Sequence, residues 1–279
     1  MDLTIAIVSW NTRDILDQCL ESIRANRQGL ECEVIVVDNN SSDGSQEMVQ
    51  EKHRWVRLIT NAENTGFSRA NNQAYQVCEG RYFLLLNPDT ICRKNTLQAM
   101  VQFLDEHPGA GAVGPLVLNA DETLQLSWAR FPTLLSEMQG RINRTIDGMS
   151  ELLADADGVR VNGAFQTDWV GGCCLMTRRE TVEHIGLLDE NLYMYSEETD
   201  WCLRMKQGGW EIWVEPKAEI VHLGAQSSSK IKEECARILR RSKCAYFAKH
   251  FNLTTAAVLA VVLGVKSFGK RVLTRATRM

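Results

Sequence analysis

Tyr82-Phe83-Leu84-Leu85-Leu86-Asn87-Pro88-Asp89-Thr90 carries a continuous apolar run straight into an amide, a proline and a carboxylate. A run that is apolar on both faces belongs inside a mostly parallel sheet, and such sheets bind ligands in the crevice outside the strand carboxyl ends. Pro88 has no N–H with which to extend the ladder, so the strand stops there and Asp89 stands at the rim. Taken alone, Asp89 reads equally as a crevice ligand or as the N-cap of a helix that begins near Asn95.

Outward from that strand the pattern repeats. Residues 3–8, 33–37 and 56–60 are β-type runs, while Ile15, Cys19, Leu20 and Ile23, and again Ala70, Ala74 and Val77, fall at helical spacing. This alternation predicts an α/β fold with a Rossmann-like, mostly parallel central sheet flanked by helices. Residues 96–106 read as a helix stopped by Pro108-Gly109, and residues 111–118 as a further strand. Residues 128–166, with Arg130, Arg141 and Arg144, have no clean period and read as a mobile stretch with a short helix. Residues 168–177 read as one strand whose Gly171 and Gly172 permit close approach by a ligand, and residues 212–214 and 219–222 as the last two strands.

At 279 residues, 44% hydrophobic and 24% charged, the chain is long enough for a large core. A formal net charge of -4 leaves no electrostatic footprint for nucleic acid. The 9 cysteines lack C-x-x-C spacing, which suits reduced thiols and a cytoplasmic location, and Met1-Asp2 leads directly into a strand rather than a leader. Residues 256–265 are apolar but fall short of the roughly 20 residues a bilayer span needs, and Lys266, Lys270, Arg271, Arg275 and Arg278 follow them. Residues 252–279 therefore read as a basic amphipathic tail, either in peripheral contact with a membrane or packed on the domain or a second copy.

Three constellations carry chemistry. In Val36-Val37-Asp38-Asn39-Asn40-Ser41-Ser42-Asp43-Gly44 an apolar strand runs into acceptors and hydroxyls. Asp38 suits the imide N–H of a pyrimidine, since an ionised carboxylate only accepts, while Asp43 reads as a turn and cap residue. Glu197-Glu198-Thr199-Asp200 sets three carboxylates at a helix start beside Tyr193 and Tyr195. Capping explains one or two of them; the group as a whole points to a general base. His222 ends an apolar strand, and if it meets Asp89 the pair offers two ligands to a divalent cation.

These motifs, with Ser9-Trp10-Asn11 and Asn64-Thr65-Gly66-Phe67-Ser68-Arg69-Ala70-Asn71-Asn72, occur in an order that resembles family 2 inverting glycosyltransferases, and within them the rhamnosyltransferase-like branch. The resemblance covers residues 3–251 apart from 128–166. It implies a GT-A fold, a nucleotide-diphosphate sugar donor and a divalent metal, Mg2+ or Mn2+. It divides the chain into residues 1–118, the nucleotide-sugar half, 119–251, the acceptor half, and the tail 252–279. By the same resemblance Asp38 contacts the nucleobase, and Ser9, Trp10, Asn11, Asn40, Gly66 and Asn72, with Asn87, Asp89 and Gly172, belong to the nucleotide-sugar site. Asp89 takes the metal position of the family's D-x-D motif, Asn87 replaces its first carboxylate, and His222 is the later metal or phosphate ligand. Glu198 falls on the base position, with Glu197 beside it as the alternative.

The implied activity is inverting transfer of a sugar to a hydroxyl of a glycan or lipid-linked saccharide in cell-surface polysaccharide synthesis, with dTDP-L-rhamnose as the first-choice donor. The rival readings are a non-catalytic sugar-nucleotide-binding or scaffold protein and a sugar-phosphate nucleotidyltransferase. The latter usually needs a glycine- and basic-rich triphosphate loop after the first strand, and Ser9-Trp10-Asn11-Thr12 supplies none. The same segment lacks the glycine-rich turn of a dinucleotide dehydrogenase.

Overall fold

The computed structural model describes residues 1–139, 163–224 and 232–276. Strands β1 (Leu3–Ser9), β2 (Cys32–Asp38), β3 (Arg57–Thr60) and β4 (Tyr82–Leu86) are linked by helices α1 (Arg13–Asn26), α2 (Ser45–Lys52) and α3 (Phe67–Gln76). They form a parallel block in the order β3-β2-β1-β4. All of β4 is buried. Tyr82, Leu84 and Leu86 pack into a core layer shared with α1 and α4 (Thr96–Glu106), whereas Phe83 and Leu85 enter the opposite layer. Each such fully buried side chain contributes roughly 1.5–3 kcal/mol relative to exposure, which is why an unbroken apolar run is stable inside the sheet.

Beyond β4 the chain adds β5 (Thr90–Cys92), then after α4 the long β6 (Ala110–Leu118), which pairs with the short β7 (Leu124–Gln125) as a hairpin. Next come β8 (Trp128–Ala129), α5 (Leu134–Gln139), β9 (Phe165–Thr167), β10 (Trp169–Val170), β11 (Cys174–Arg178), α6 (Arg179–Ile185), α7 (Glu197–Gln207) and β12 (Glu211–His222). The main sheet continues β4-β11-β6-β12-β5. β11 runs antiparallel between β4 and β6, so the sheet is mostly parallel with a reversed strand at its centre.

Two strand boundaries differ from the sequence expectation. Residues 168–177 are not one strand: the chain turns at Gly171 and Gly172, β10 pairs with β8 in a separate two-stranded sheet, and β11 enters the main sheet. Residues 212–214 and 219–222 are not two strands but the ends of β12, whose register against β6 shifts between Glu215 and Glu219. Pro216 removes a ladder donor, so the residues beside it bulge while the strand keeps its direction. Of the stretch 128–166, the short helix expected there is α5; residues 140–162, with Arg141 and Arg144, lie outside the described residues.

Two C-terminal helices, α8 (Lys232–His250) and α9 (Leu253–Ala276), complete the described chain. α8 is fastened to α7 through fully buried Asp200, whose carboxylate receives Arg204 Nε at 2.9 Å, Lys249 Nζ at 2.7 Å and His250 Nε2 at 2.6 Å. A buried carboxylate needs such compensation. On α9, Ala256 and Leu259 pack with Tyr246 and Phe247 of α8, while Leu253, Val261 and Val265 stay exposed.

Candidate active site

At the carboxyl ends of β1, β2 and β4 a cleft of about 1220 Å³ opens between the strand tips, the start of α7 and one face of α8. Among the residues expected at the site, Trp10, Gly66, Asn87, Asp89, Gly172, Glu197, Glu198 and His222 line it together. Ser9, Asn11, Asp38, Asn40 and Asn72 do not. Ser9 is fully buried and bonded to Thr12. Asn11 braces the neighbouring loop, its Oδ1 accepting the Ser42 N–H at 2.8 Å. Asn40 is an exposed turn residue at φ 64. Asn72 is buried and exchanges hydrogen bonds with the Leu188 backbone. Ser9, Asn11 and Asn72 hold the walls rather than form them.

Asp38 ends β2 just behind the cleft lining. Its Oδ1 accepts Ser41 N–H at 2.9 Å and Gln46 Nε2 at 2.7 Å. The other oxygen, Oδ2, is buried without a hydrogen-bond partner. Asn39 lines the cleft in its stead and ties the Asn64 to Phe67 turn to the sheet, donating to Gly66 O at 3.1 Å and accepting from Asn61 and Thr65. As expected, Asp43 is a cap: Oδ1 accepts Ser45 N–H at the start of α2 and Oδ2 accepts Arg13 N–H at the start of α1.

The turn at Gly66 is clasped to the segment that leads into α7. Phe67 N–H donates to Tyr193 O at 2.8 Å and Tyr193 Oη donates to Asn64 Oδ1 at 2.9 Å. Gly66 has φ +84, and a Cβ there would lie 2.5 Å from the Tyr193 ring, so both backbone and space demand glycine. Ser68 Oγ donates to Leu192 O at 2.5 Å from the same side. Tyr195 and Ser196 then take left-handed conformations, φ 71 and 68, at about 1–3 kcal/mol each for non-glycine residues. That double turn swings the first residues of α7, Glu197 and Glu198, into the cleft beside Gly172, where a Cβ would meet Glu198 Cβ at 3.5 Å.

Burial, aided by the charge of Glu198, holds the Glu197 carboxyl well above the usual carboxylate range, and burial raises Glu198 as well. Backbone N–H groups at the helix start oppose the rise at Glu198. Glu197 is 5% exposed with Oε2 unpartnered, whereas Glu198 is the more accessible of the two. A carboxyl whose folded pKa is raised contributes stability below its unfolded pKa of about 4.3 and loses it as pH rises through the folded value. Glu197→Gln, which never ionises, is therefore expected to melt above the parent at mildly alkaline pH and to converge with it under acid conditions, as paired calorimetric scans will read.

In the same lining Asp89 Oδ1 lies 3.2 Å from His222 Nε2, and Asn87 Nδ2 lies 3.4 Å from the same nitrogen. The Leu223 N–H donates to Asp89 O at 2.9 Å, so the end of β12 is pinned to the tip of β4. The pair fits a divalent cation: two ligands cis on an octahedral ion at about 2.1 Å stand about 3 Å apart. Among the described residues Asp89 and His222 are a two-ligand set. The one three-ligand group among the described residues is Asp17, Glu21 and His53, none of which lines the cleft, and there Lys52 Nζ already sits 2.7 Å from Asp17. Cys173 also lines the cleft, and its thiol is pushed up to about 12 by burial and then by the charges of Asp89 and Glu198.

The remaining lining was not read from the sequence. Asn39 and Asn64 belong to motifs already singled out; Arg237 and Arg241 come from α8, whose helical spacing of Cys235, Ile238, Ser242 and Tyr246 was the available signal. Both arginines are exposed on one helix face.

A profile described as Glycosyl transferase family 2 matches residues 4–185, well over half of the 279-residue chain. The chain belongs to glycosyl transferase family 2. This glycosyltransferase is 25% identical over 212 residues to N-acetylglucosaminyl-diphospho-decaprenol L-rhamnosyltransferase of Mycobacterium tuberculosis, across 71% of this chain and 68% of that one. It is 25% identical over 259 residues to rhamnosyltransferase WbbL of Escherichia coli, across 88% and 92% of the two chains. A crystal structure of GalNAc-T7 with UDP, GalNAc and Mn2+ superimposes with a TM-score of 0.62 at 16% identity, over 89% of this chain and 50% of that one, a likeness of fold. The chain spans half the length of that neighbour. The glycosyltransferase thus has the GT-A fold and the rhamnosyltransferase-like kinship expected from its motifs.

Proposed function

We propose that the protein is an inverting glycosyltransferase that moves a sugar, L-rhamnose from dTDP-L-rhamnose as the first choice, onto a hydroxyl of a glycan or lipid-linked saccharide in cell-surface polysaccharide synthesis. The observation that carries this reading is that the Asp89–His222 pair and the Glu197–Glu198 pair line a single cleft. The relatives named as rhamnosyltransferases support the donor, and the diphospho-decaprenol in the name of one supports a lipid-linked acceptor.

In this mechanism the unpartnered Asp38 Oδ2 accepts the imide N–H of the base, and Trp10 supplies an aromatic face to the nucleotide. A divalent cation, Mg2+ or Mn2+, held by Asp89 and His222 would offset charge on the departing diphosphate. Glu198 takes the proton of the acceptor hydroxyl, whose oxygen forms the new bond to the anomeric carbon from the face opposite the leaving oxygen. The bond to the diphosphate breaks and the configuration inverts. Arg237 and Arg241 add two guanidiniums to a lining otherwise rich in carboxylates, which favours an acceptor that carries phosphate.

The proposed division is a nucleotide-sugar half, residues 1–118, an acceptor half, 119–251, and a basic tail, 252–279. No helix among the described residues is long and apolar enough to cross a membrane. The exposed Leu253, Val261 and Val265 of α9, followed in sequence by Lys266, Lys270 and Arg271, favour peripheral contact with the cytoplasmic face of a membrane. The test is a thermal-shift screen of nucleotide sugars with Mg2+ or Mn2+, coupled to an assay for released nucleoside diphosphate. The preferred donor should raise the melting temperature by mass action. Binding without release under any acceptor would favour the scaffold reading instead.

A further inference from the structure

His222 is held from behind by a chain of side chains in the β6–β7 hairpin. Its Nδ1 lies 2.5 Å from Gln125 Oε1. Gln125 Nε2 donates to Asn119 Oδ1 at 2.9 Å, Asn119 Nδ2 donates to Thr123 Oγ1 at 2.9 Å, and Thr123 Oγ1 donates to Asp121 Oδ1 at 2.5 Å. The direction of this chain is not free. The hydrogen bonds from Thr123 hold the exposed Asp121 carboxyl below its usual value, so at neutral pH it only accepts. Thr123 spends its single proton on Asp121 and must accept from Asn119; this turns Asn119 Oδ1 toward Gln125. Gln125 then presents Oε1 to the His222 ring, while its Nε2 also donates to the His222 backbone O at 3.4 Å.

We propose that Gln125, oriented by Asn119, Thr123 and Asp121, is a positioning residue that fixes His222 as the Nδ1–H tautomer and turns the Nε2 lone pair toward Asp89. Asn87 agrees with this polarity from the other side, because its Nδ2 donates toward the same Nε2 at 3.4 Å. With the imidazole neutral and its proton on Nδ1, two lone-pair donors, Nε2 and Asp89 Oδ1, face one another at 3.2 Å with no proton between them. That is an arrangement for a cation. The inference rests on the metal reading proposed above, and it gives an exposed hairpin a role that its position at the rim of the sheet does not suggest. Outer partners that orient a ligating histidine typically carry a 10–100-fold effect on metal affinity.

The experiment uses the full-length chain, labelled with 15N-histidine and free of metal, at about pH 8 where imidazole is neutral. Long-range proton–nitrogen spectra resolve the tautomer of each of the 5 histidines, and loss of one spin system in His222→Gln assigns the signal. The parent should show a protonated Nδ1 and an unprotonated Nε2 at His222. Gln125→Ala should lose that preference and weaken Mn2+ binding about 10–100-fold by titration calorimetry. Gln125→Glu keeps an acceptor for Nδ1 but loses the donor to Asn119, so it should retain the tautomer and most of the affinity, a rescue that a merely structural side chain would not show. The inference is overturned by a His222 that is Nε2–H or doubly protonated in the parent, or by Gln125→Ala binding Mn2+ as the parent does. A parent with the expected tautomer that binds no Mn2+ would overturn the metal reading itself, and the positioning role with it.

Discussion

Glu198→Gln is expected to lower the rate of sugar transfer by about 10²–10⁴-fold and to leave the affinity for nucleoside diphosphate unchanged. Glutamine keeps the shape of the side chain and its place at the first turn of α7, but it cannot take a proton from the acceptor. Steady-state kinetics beside calorimetric titration of the nucleotide separate the two quantities. Because burial raises the Glu198 carboxyl, the acidic limb of kcat/KM in the parent should lie above the ordinary glutamate value of about 4.3, activity being lost as pH falls through it. Glu197→Gln should keep turnover. The opposite pattern, with Glu197→Gln inactive and Glu198→Gln active, would transfer the base role to the more deeply buried neighbour.

Asp89→Ala should abolish the stabilisation that Mn2+ and a nucleoside diphosphate give together. Among the described residues its carboxylate is the one acidic group beside His222 Nε2 in the proposed metal site, Asn87 standing where the family's D-x-D motif has a first aspartate. One carboxylate and one imidazole make a sparse site, so loss of either leaves a single protein ligand. Ligand stabilisation follows the ratio of concentration to dissociation constant; the parent should therefore gain melting temperature with both components while the variant gains none from the metal. The backbone bond from Leu223 to Asp89 O survives the substitution, so the unliganded fold should persist. An equal Mn2+-dependent shift in parent and variant would remove Asp89 from the metal site.

What was legible in the sequence follows from what each feature buries. β1, β2 and β4 are apolar on both faces and could be read directly, as could α4, whose end at Glu106 precedes Pro108-Gly109. β12 was split because a proline interrupts its pattern without ending its direction. α8 is hard to read because its charged residues fall on nearly every turn and its buried face is met by α9 and by α7, which ends at Gln207, about 25 residues before α8 begins at Lys232. Within the site the tips of β1 and β2 show the limit most clearly. Ser9 and Asp38 are register partners and share one face of the sheet, while Trp10 and Asn39 line the cleft. A one-residue difference at a strand end reverses the direction of a side chain, and the motif alone does not say where the strand lets go.

The reversed strand β11 also dictates an order of events as the chain is made. Strands β1 to β4 can pair as soon as they are synthesised, but β11 must arrive before the apolar edge of β4 is covered. Until then a strand buried on both faces in the finished protein is an open edge, the kind of surface that recruits other chains. A product truncated before Arg178 is therefore expected to aggregate rather than survive as a small domain. Asp89 meets His222 only after β12 has docked along β6 and β5. The proposed capacity to hold a cation would thus be among the last properties the nascent chain acquires, and a chain found to bind Mn2+ at Asp89 and His222 would, by that fact, have closed its sheet.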